Sequence, residues 1–288
     1  MSALISLLLP TRGRAQLAER FLRSALDCAC SPQDVEIVIY ADDDDPASHR
    51  ITCPGLRVRR LVGPRISMGQ CNSACLAASS GEIVILTNDD IVVRTNGWDN
   101  VIRDTHTSIE DQIYLAYPND LLKGRKLCTF PILSRKTCTL IGEPFPSMYH
   151  GAFIDYHLMD VFKRLERAGQ RRLLYLQDVV FEHMHYRTGK SRFDQTYSER
   201  NRFADDNVFL GLRDLRSEAA AKLLATVLRE PAPAARPSRS AADNESHLTR
   251  ATLGDRELPL QWSLRLAIWF AARTFARWIL RPTRVDGA

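Results

Sequence analysis

Two adjacent carboxylates stand directly after a short apolar run, where Asn88, Asp89 and Asp90 follow residues 82–87 (EIVILT). Neighbouring carboxylates repel each other, so such a pair is costly unless a cation or solvent stabilises it. Oxygen ligands of this kind suit a hard divalent ion such as Mg²⁺ or Mn²⁺. A solvated loop or a helix cap would also place aspartates here, so the residues alone leave both interpretations open.

Two histidines follow another apolar run, because His183 and His185 come after residues 173–181 (LLYLQDVVF). Residues two apart on a strand lie on the same face, so both imidazoles are predicted to point the same way. One of them can add a nitrogen ligand to an ion at the aspartates. An exposed polar strand end is the alternative interpretation.

Further charged residues also follow apolar runs. Four aspartates follow residues 35–40, and Arg12 and Arg14 follow residues 4–9. Asp42, the first of the four aspartates, can accept hydrogen bonds from a base or a ribose, and guanidinium groups match the oxygens of a diphosphate. A basic loop after the histidines contains Arg187, Lys190 and Arg192. This loop either closes on a diphosphate or stays solvated.

Two common nucleotide fingerprints, G-x-x-x-x-G-K-[ST] and G-x-G-x-x-G, do not occur in the sequence.

The elements that must position these residues alternate between strands and helices. The predicted strands are 4–9, 35–40, 56–62, 82–87 and 173–181, and the predicted helices are 15–29, 68–79 and 155–168. This order predicts a mostly parallel sheet with right-handed crossovers. In such sheets ligands bind outside the carboxyl ends of the strands, where loops 10–14, 42–46 and 88–90 would meet.

The composition sets outer limits on the class of protein. The chain has 288 residues, of which 45% are hydrophobic and 25% are charged, as in a globular protein. Its net charge of +5 is too small to argue for a nucleic-acid partner. It has no run of 18 uncharged apolar residues that would span a membrane. Seven cysteines without a C-x-x-C pair predict reduced thiols in a cytoplasmic protein.

The last part of the sequence changes character. Residues 229–247 are rich in Pro, Ala, Ser and charge, which is typical of a flexible linker. A final helix is predicted over 259–281. Its apolar face comprises Leu260, Leu264, Ile268, Ala271, Phe275, Trp278 and Ile279. A basic amphipathic helix rich in Trp and Phe favours an anionic membrane surface, and Arg273 and Arg277 near its middle argue against a span. A helix docked on the domain or on a second subunit is the alternative.

Several motifs, in this order, resemble one family. Pro10-Thr11-Arg12, then VEIVIYADDDD, then the run from Met68 to Asp90 resemble the nucleotide-sugar half of GT-A fold glycosyltransferases, especially family 2. Residues 160–169 followed by LLYLQDVVFEHMH resemble the acceptor-side helix, strand and closing histidine of that family. The resemblance covers about residues 3–212.

The resemblance implies a Rossmann-like, mostly parallel sheet flanked by helices, with the amphipathic helix carried on a flexible linker. The expected divisions are 1–215 for the GT-A-like domain (1–112 for the nucleotide-sugar half, 113–215 for the acceptor half), 216–258 for a helix end and the linker, and 259–284 for the membrane-surface helix.

The resemblance also implies residue roles. Asp42 would hold the base. The other donor-binding residues would be Pro10, Thr11, Arg12, Asn72, Asn88, Asp89, Arg187 and Lys190. Asp90 would be the direct metal ligand, with His183, or failing that His185, as the third metal-side residue. Mn²⁺ or Mg²⁺ would neutralise the diphosphate leaving group.

This sequence departs from the family in two places. Asn88 replaces the usual first acidic residue of the DxD motif, which weakens metal binding or moves it to Asp89. The Glu-Asp pair that usually supplies the catalytic base is replaced by His157 and Leu158. The base that takes the acceptor proton would then be Asp155 or Asp160, and Asp155 is favoured because it lies at the helix entry. If neither serves, the reaction would be retaining.

The function expected from the resemblance is metal-dependent, inverting transfer of a sugar from a nucleotide-sugar, with a UDP-sugar favoured. The acceptor would be a hydroxyl of a glycan or a lipid-linked glycan in bacterial-type surface polysaccharide synthesis, at the inner face of the cell membrane. The alternatives are a sugar-phosphate nucleotidyltransferase and a catalytically inactive glycan- or membrane-binding protein on the same fold.

Overall fold

The computed structural model of the protein describes residues 3–199, 201, 203–231 and 247–279. The strands are β1 (Ile5–Thr11), β2 (Val35–Asp42), β3 (Arg57–Gly63), β4 (Ile83–Leu86), β5 (Ile91–Val93), β6 (Leu115–Asn119), β7 (Ile132–Ser134) and β8 (Leu173–His183). The helices are α1 (Ala15–Cys28), α2 (Met68–Ala78), α3 (Trp98–Thr107), α4 (Arg135–Ile141), α5 (Ile154–Arg167), α6 (Gln195–Glu199), α7 (Asp206–Gly211), α8 (Arg213–Leu228), α9 (His247–Ala251) and α10 (Leu260–Ile279).

The strands form one sheet in the order β3-β2-β1-β4-β7-β6-β8-β5. The first four strands of that order, β3, β2, β1 and β4, run parallel to one another, as the sequence predicts. Beyond β4 the sheet is mixed, because β7 runs antiparallel to β4 and to β6, and β5 runs antiparallel to β8. Strands β5, β6 and β7 were not among the predicted strands, since runs of three to five residues carry too little periodicity to indicate a strand.

The central strands are apolar because both faces of the sheet are covered. Every residue of β1 and β2 is buried, and successive side chains enter opposite cores. Leu8 belongs to the core on one face, while Leu7 and Leu9 belong to the core on the other. Strand β3 lies at the edge of the sheet and is only partly buried, as expected.

Helix α2 lies close to the segment that leads into α5. It begins with a capping box between Ser67 and Gln70. The backbone N–H of Gly69 donates to the carbonyl of Tyr149 at 2.9 Å, and a Cβ at Gly69 would lie 2.0 Å from the carbonyl oxygen of Pro146. Only glycine therefore allows α2 to approach the segment that leads into α5.

The C-terminal part, predicted as a helix end and a linker over 216–258, is described over residues 216–231 and 247–258. Helix α8 continues to Leu228 and buries Arg216 and Leu223. Leu258 and Asp255 are also buried. Residues 232–246 of the predicted linker and residues 280–284 of the predicted terminal helix lie outside the described residues.

Helix α10 packs against the domain, which is the alternative that the sequence left open. Its inner face buries Trp262, Leu266 and Phe270. Its arginines Arg273 and Arg277 form ion pairs with Asp206 of α7 at 2.6 and 2.9 Å. None of the described helices is long and apolar enough to cross a membrane.

A buried ionic network fixes the segment that precedes α10. Asp255 accepts hydrogen bonds from Arg164 of α5 at 2.7 Å and from Arg213 of α8 at 2.9 Å. The two guanidinium groups lower the pKa of Asp255 to about 2, against the opposing effect of burial. The network ties α5, α8 and the approach to α10 into one unit.

Candidate active site

The loops after β1, β2 and β4 meet at one edge of the sheet, as the predicted topology requires. The hydroxyl of Thr11 donates to Oδ2 of Asp89 at 2.9 Å. A guanidinium nitrogen of Arg12 donates to Oδ2 of Asp42 at 2.8 Å. The three loops that the sequence places at the carboxyl ends of these strands therefore form one cluster of charged and polar groups.

Asp89 is held within this cluster by hydrogen bonds. Its carboxylate is buried, and both oxygens have partners, because Oδ2 accepts from Thr11 and Oδ1 lies 3.1 Å from Nη1 of Arg14. Burial raises the pKa of Asp89 to about 6, although the nearby Arg14 lowers it. Asp89 thus holds Arg14 and Thr11 in place, with one contact to each of its oxygens.

Asp90 has a different environment. Its Oδ2 accepts a hydrogen bond from the hydroxyl of Tyr197 at 2.7 Å. Its Oδ1 lies 3.3 Å from Nε2 of His183, yet it is buried without a hydrogen-bond partner among the described residues. Burial raises the pKa of Asp90, but His183 and Tyr197 outweigh burial and leave the pKa below its usual value.

The pair of Asp90 and His183 fits a divalent ion. A buried carboxylate oxygen without a partner stands beside an imidazole nitrogen, and oxygen and imidazole donors suit Mn²⁺ or Mg²⁺. No group of three His, Cys, Asp or Glu residues in the described parts of the chain is arranged to hold a metal. The protein could therefore supply two ligands here, and the remaining ligands would have to come from a bound donor and water.

His185 lies close to His183, although β8 ends at His183 and the backbone turns between the two residues, so the predicted strand spacing does not apply. The two ring centroids are 5.2 Å apart. The Nδ1 of His185 accepts from the backbone N–H of Arg187 at 3.1 Å, and the imidazole stacks on Tyr186. The backbone contact at Nδ1 holds the ring of His185 within its own turn.

The basic loop makes local contacts. The ammonium of Lys190 lies 2.6 Å from Glu182, and Nε of Arg187 donates to the hydroxyl of Tyr186 at 3.1 Å. These contacts hold both residues beside the histidines, and the role in donor binding that the resemblance implies for them remains a prediction.

The donor-side loop is held by its own aspartates. Arg12 is bound by both Asp42 and Asp44, and its pKa is raised chiefly by the hydrogen bond to Asp44. Asp45 accepts the backbone N–H of Gly13 at 2.7 Å. The run of aspartates thus orders the first loop, which gives Asp44 and Asp45 a role that the sequence did not predict.

The other predicted donor residues differ in their exposure and contacts. Pro10 is buried in β1, and Asn88 is exposed beside the buried Asp89. Asn72 is buried, and its amide nitrogen donates to the carbonyl of Met68 at 3.0 Å. Its Oδ1 has no hydrogen-bond partner among the described residues, which leaves one polar atom for a ligand.

Residues 194–199 lie over this cluster, which the sequence did not predict. Asp194 makes two hydrogen bonds of 2.7 Å to the guanidinium of Arg14, and Arg14 lies over the ring of Tyr197, 4.3 Å from its centroid. Arg65 pairs with Glu199 of the same segment at 3.0 Å. No periodicity or motif links Arg14 to residues 180 positions away, so only the folded chain reveals these contacts.

The two candidate bases are placed very differently. Asp160 is fully buried. Its Oδ2 accepts from Arg216 at 2.7 Å and from Arg164 at 3.0 Å, and its Oδ1 accepts from Nε1 of Trp262 at 2.8 Å. An acceptor hydroxyl cannot reach a carboxylate whose oxygens are all occupied and sealed from solvent, so the structure contradicts Asp160 as a base.

Asp155 stands in the first turn of α5 and is partly exposed. Its Oδ1 accepts the backbone N–H of Tyr156 at 2.8 Å. The turn is preceded by Phe153, whose φ of +72° is unusual for a side chain of this size. Such strain is kept only where surrounding packing fixes it, and it is concentrated at functional sites.

Comparisons with known proteins identify solved structures with a similar fold. No protein-family model matches the chain, and no curated protein matches its sequence. The mannosyltransferase PcManGT from Pyrobaculum calidifontis, solved with GDP-Man and Mn²⁺, is similar with a TM-score of 0.50 and 15% identity, over 96% of this chain and 76% of that one. S. aureus TarS residues 1–349, solved with UDP-GlcNAc, is similar with a TM-score of 0.52 and 12% identity, over 78% and 73%. The expected GT-A fold is confirmed, and at these identities the likeness concerns the fold alone.

Proposed function

We propose that the protein is a metal-dependent glycosyltransferase that moves a sugar from a nucleotide-sugar, with a UDP-sugar favoured, to a hydroxyl of an acceptor, with inversion. The observation that carries the proposal is the buried Oδ1 of Asp90, which has no hydrogen-bond partner among the described residues and lies 3.3 Å from His183. This pair stands at the carboxyl edge of parallel strands, where ligands of such sheets bind. The similar solved proteins that bind GDP-Man with Mn²⁺ and UDP-GlcNAc support the same reading.

In this proposal the first loop binds the nucleotide. Asp42 holds the base or ribose, while Pro10, Thr11 and Arg12 line it. Asn72 offers its Oδ1, which is buried without a partner among the described residues. Because Asp42 and Asp44 already fix the guanidinium of Arg12, the loop is ordered before the donor arrives, which lowers the entropic cost of binding.

Asp90 and His183 would hold Mn²⁺ or Mg²⁺. The ion supplies charge neutralisation to the diphosphate leaving group. The protein would have to keep Asp90 ionised and correctly oriented. Tyr197 orients it through a hydrogen bond of 2.7 Å, and Tyr197 and the nearby His183 keep its pKa low. Asp89 supports this arrangement indirectly by holding Arg14.

Asp155 takes the proton of the attacking hydroxyl. An inverting transfer needs one carboxylate for this step, and of the two candidates only Asp155 is accessible. The carboxylate receives the proton as the hydroxyl oxygen forms its bond to the sugar and the nucleoside diphosphate departs.

For the acceptor we propose a glycan, in free or lipid-linked form, of a bacterial-type surface polysaccharide, used at the inner face of the cell membrane. The support is the large apolar side chains that α10 leaves exposed on its outer face. A protein that works on lipid-linked substrates needs such a face at the membrane surface.

Thermal unfolding with UDP, GDP, CMP or TDP, each with and without Mn²⁺, tests the donor site. A ligand at 100 times its Kd stabilises by about 2.7 kcal/mol, so we expect a Mn²⁺-dependent shift with one nucleotide. The shift should vanish in Asp90→Ala and persist in Asp43→Ala, a matched control because Asp43 is an exposed carboxylate of the same region. The absence of any nucleotide shift in the wild type would rule the proposal out.

A catalytically inactive binding protein on the same fold is the second candidate. Asn88 in place of an acid, and His157 and Leu158 in place of the Glu-Asp pair, favour it. Hydrolysis of the donor in the presence of Mn²⁺ separates the two, because only an enzyme releases the nucleotide. The nucleotidyltransferase alternative is disfavoured because the first loop lacks the glycine-rich basic sequence that such an enzyme would need.

A further inference from the structure

Helix α10 has two faces with different environments. The inner face packs on the domain. The outer face exposes six large apolar side chains, each between 43% and 71% exposed: Leu260, Leu264, Ile268, Phe275, Trp278 and Ile279. Their spacing of three, four and seven residues aligns them along one side of the helix. Contiguous exposed apolar surface of this kind marks an interaction site.

The positive charge near the outer face does not come from Arg273 and Arg277, the arginines in the middle of the predicted helix. Arg273 and Arg277 point inward to Asp206. Arg265 instead donates to the carbonyl of Lys126, and this contact joins α10 to a turn that carries three exposed cations. These cations are Lys123, Arg125 and Lys126. A basic cluster therefore borders the N-terminal half of the apolar face.

The occupant that fits both features is a lipid surface with anionic headgroups. Residues 260–279 contain no Asp or Glu, so nothing on the helix repels phosphate. Trp278 is of an aromatic type that favours the membrane–water interface, Phe275 suits the apolar face of an interfacial helix, and no described helix could cross the bilayer. A helix of this kind lies in the interface with its apolar face inserted.

We infer that the outer face of α10 and the basic turn at residues 123–126 form one docking surface for an anionic lipid bilayer. The inference deepens the proposed function, on which it rests for the identity of the acceptor. It assigns the membrane contact to the turn and to the outer face, and not to Arg273 and Arg277.

The inner face of the same helix holds the turn that carries Asp155. Trp269 stacks on Tyr156 at 4.4 Å with the rings 6° from parallel, and its ring lies 5.0 Å from that of Phe153. The residues on either side of Asp155 thus rest on α10. A bilayer under α10 would bring a lipid-linked hydroxyl to the side of the domain where Asp155 lies.

Flotation of the full chain with vesicles tests the surface. The vesicles are phosphatidylcholine alone or phosphatidylcholine with phosphatidylglycerol. We expect the wild type to float with the anionic vesicles and not with the neutral ones. The triple variant Ile268→Ser, Phe275→Ser, Trp278→Ser should bind the anionic vesicles at least tenfold more weakly. The triple variant Lys123→Gln, Arg125→Gln, Lys126→Gln should bind the anionic vesicles no better than the neutral ones.

Val62→Ser is the matched control, since Val62 is an exposed apolar residue on the edge strand β3. It should float like the wild type. The melting temperature of each variant, and its shift with nucleotide and Mn²⁺, shows whether the fold and the donor site are intact. Vesicle binding without any nucleotide shift in the wild type would refute the proposed function and leave the docking surface standing.

Two results would overturn the inference. One is a wild type that floats with neither kind of vesicle while its nucleotide shift is normal. The other is a concentration-dependent dimer that the same apolar substitutions dissolve, which would assign the face to a second copy of the chain.

Discussion

Asp155 and Asp160 lie on neighbouring turns of α5, and their surroundings assign them opposite roles. The carboxylate of Asp160 is shared between Arg164, Arg216 and Trp262, and these partners outweigh burial and keep its pKa low. Asp155 is partly exposed at the helix entry. Position along the helix cannot separate the two, but the partners can.

We expect Asp155→Asn to lower kcat by about 10²–10⁴-fold, because removal of a general base costs that much, with little change in melting temperature. Asp160→Asn should instead lower the free energy of unfolding by about 3 kcal/mol, because buried arginines lose their counter-charge. Steady-state turnover and thermal unfolding of both variants measure the contrast.

Nucleotide binding with Mn²⁺ serves as the control for Asp155→Asn, since the donor site does not include this residue. Wild-type turnover in Asp155→Asn would show that the base lies elsewhere or that the reaction is retaining.

The sequence predicted which loops meet, but it could not rank the residues within them. Asp89 and Asp90 are adjacent, yet their roles depend on Arg14, His183 and Tyr197, which reach them from distant parts of the chain. Loop positions follow from the order of strands. Hydrogen-bond partners follow from packing that no local pattern encodes.

At the scale of elements, α2 and the segment before α5 are joined by the contact at Gly69. Residues 145–153 lead from this contact into the turn that carries Asp155. Any shift of the segment would therefore be transmitted from the donor half to the candidate base.

We expect Gly69→Ala to lower the free energy of unfolding by about 1–3 kcal/mol, because the added Cβ would lie 2.0 Å from a backbone oxygen and force the segment to move. It should also reduce turnover. Gly211→Ala is the matched control, since nothing lies within 4 Å of its Cβ, and it should be neutral or slightly stabilising. Chemical denaturation and kcat measure both effects, and equal behaviour of the two variants would contradict the prediction.

The elements themselves were predictable to the extent that their periodicity is local. The buried strands β1, β2 and β4 and the amphipathic helix α1 carry clear patterns, and the structure places them where the sequence did. Helix α8 has no such pattern, because it is surrounded by protein on several sides, and the sequence predicted only the end of a helix from residue 216 onward. Its burial depends on α4 and α5, which the sequence of α8 alone does not specify.

At the scale of the whole molecule, the network around Asp255 makes stability depend on acidity. The folded pKa of Asp255 is about 2, below the ordinary value of 3.8, so the folded state binds this proton less readily than the unfolded state. The stabilisation is therefore complete above about pH 5 and is lost progressively as the pH falls through about 2.

The shift corresponds to about 2 kcal/mol, since each pKa unit is worth about 1.4 kcal/mol. We expect Asp255→Asn to be less stable than the wild type at pH 7 by about that amount, and to lose less stability between pH 4 and pH 2. Denaturant unfolding across this range measures the difference. Asp43→Asn, at an exposed site, should run parallel to the wild type, and parallel curves for Asp255→Asn would refute the assignment.

The packing of α10 on α5 also has a consequence for how the protein is made. Trp262 and Trp269 are synthesised about 100 residues after Asp160 and Tyr156, the groups they contact. Folding proceeds from the N-terminus during synthesis, so the turn around Asp155 lacks this support until α10 has been made. Under the proposed function, the candidate base would gain its support only after the residues of the donor site have been synthesised.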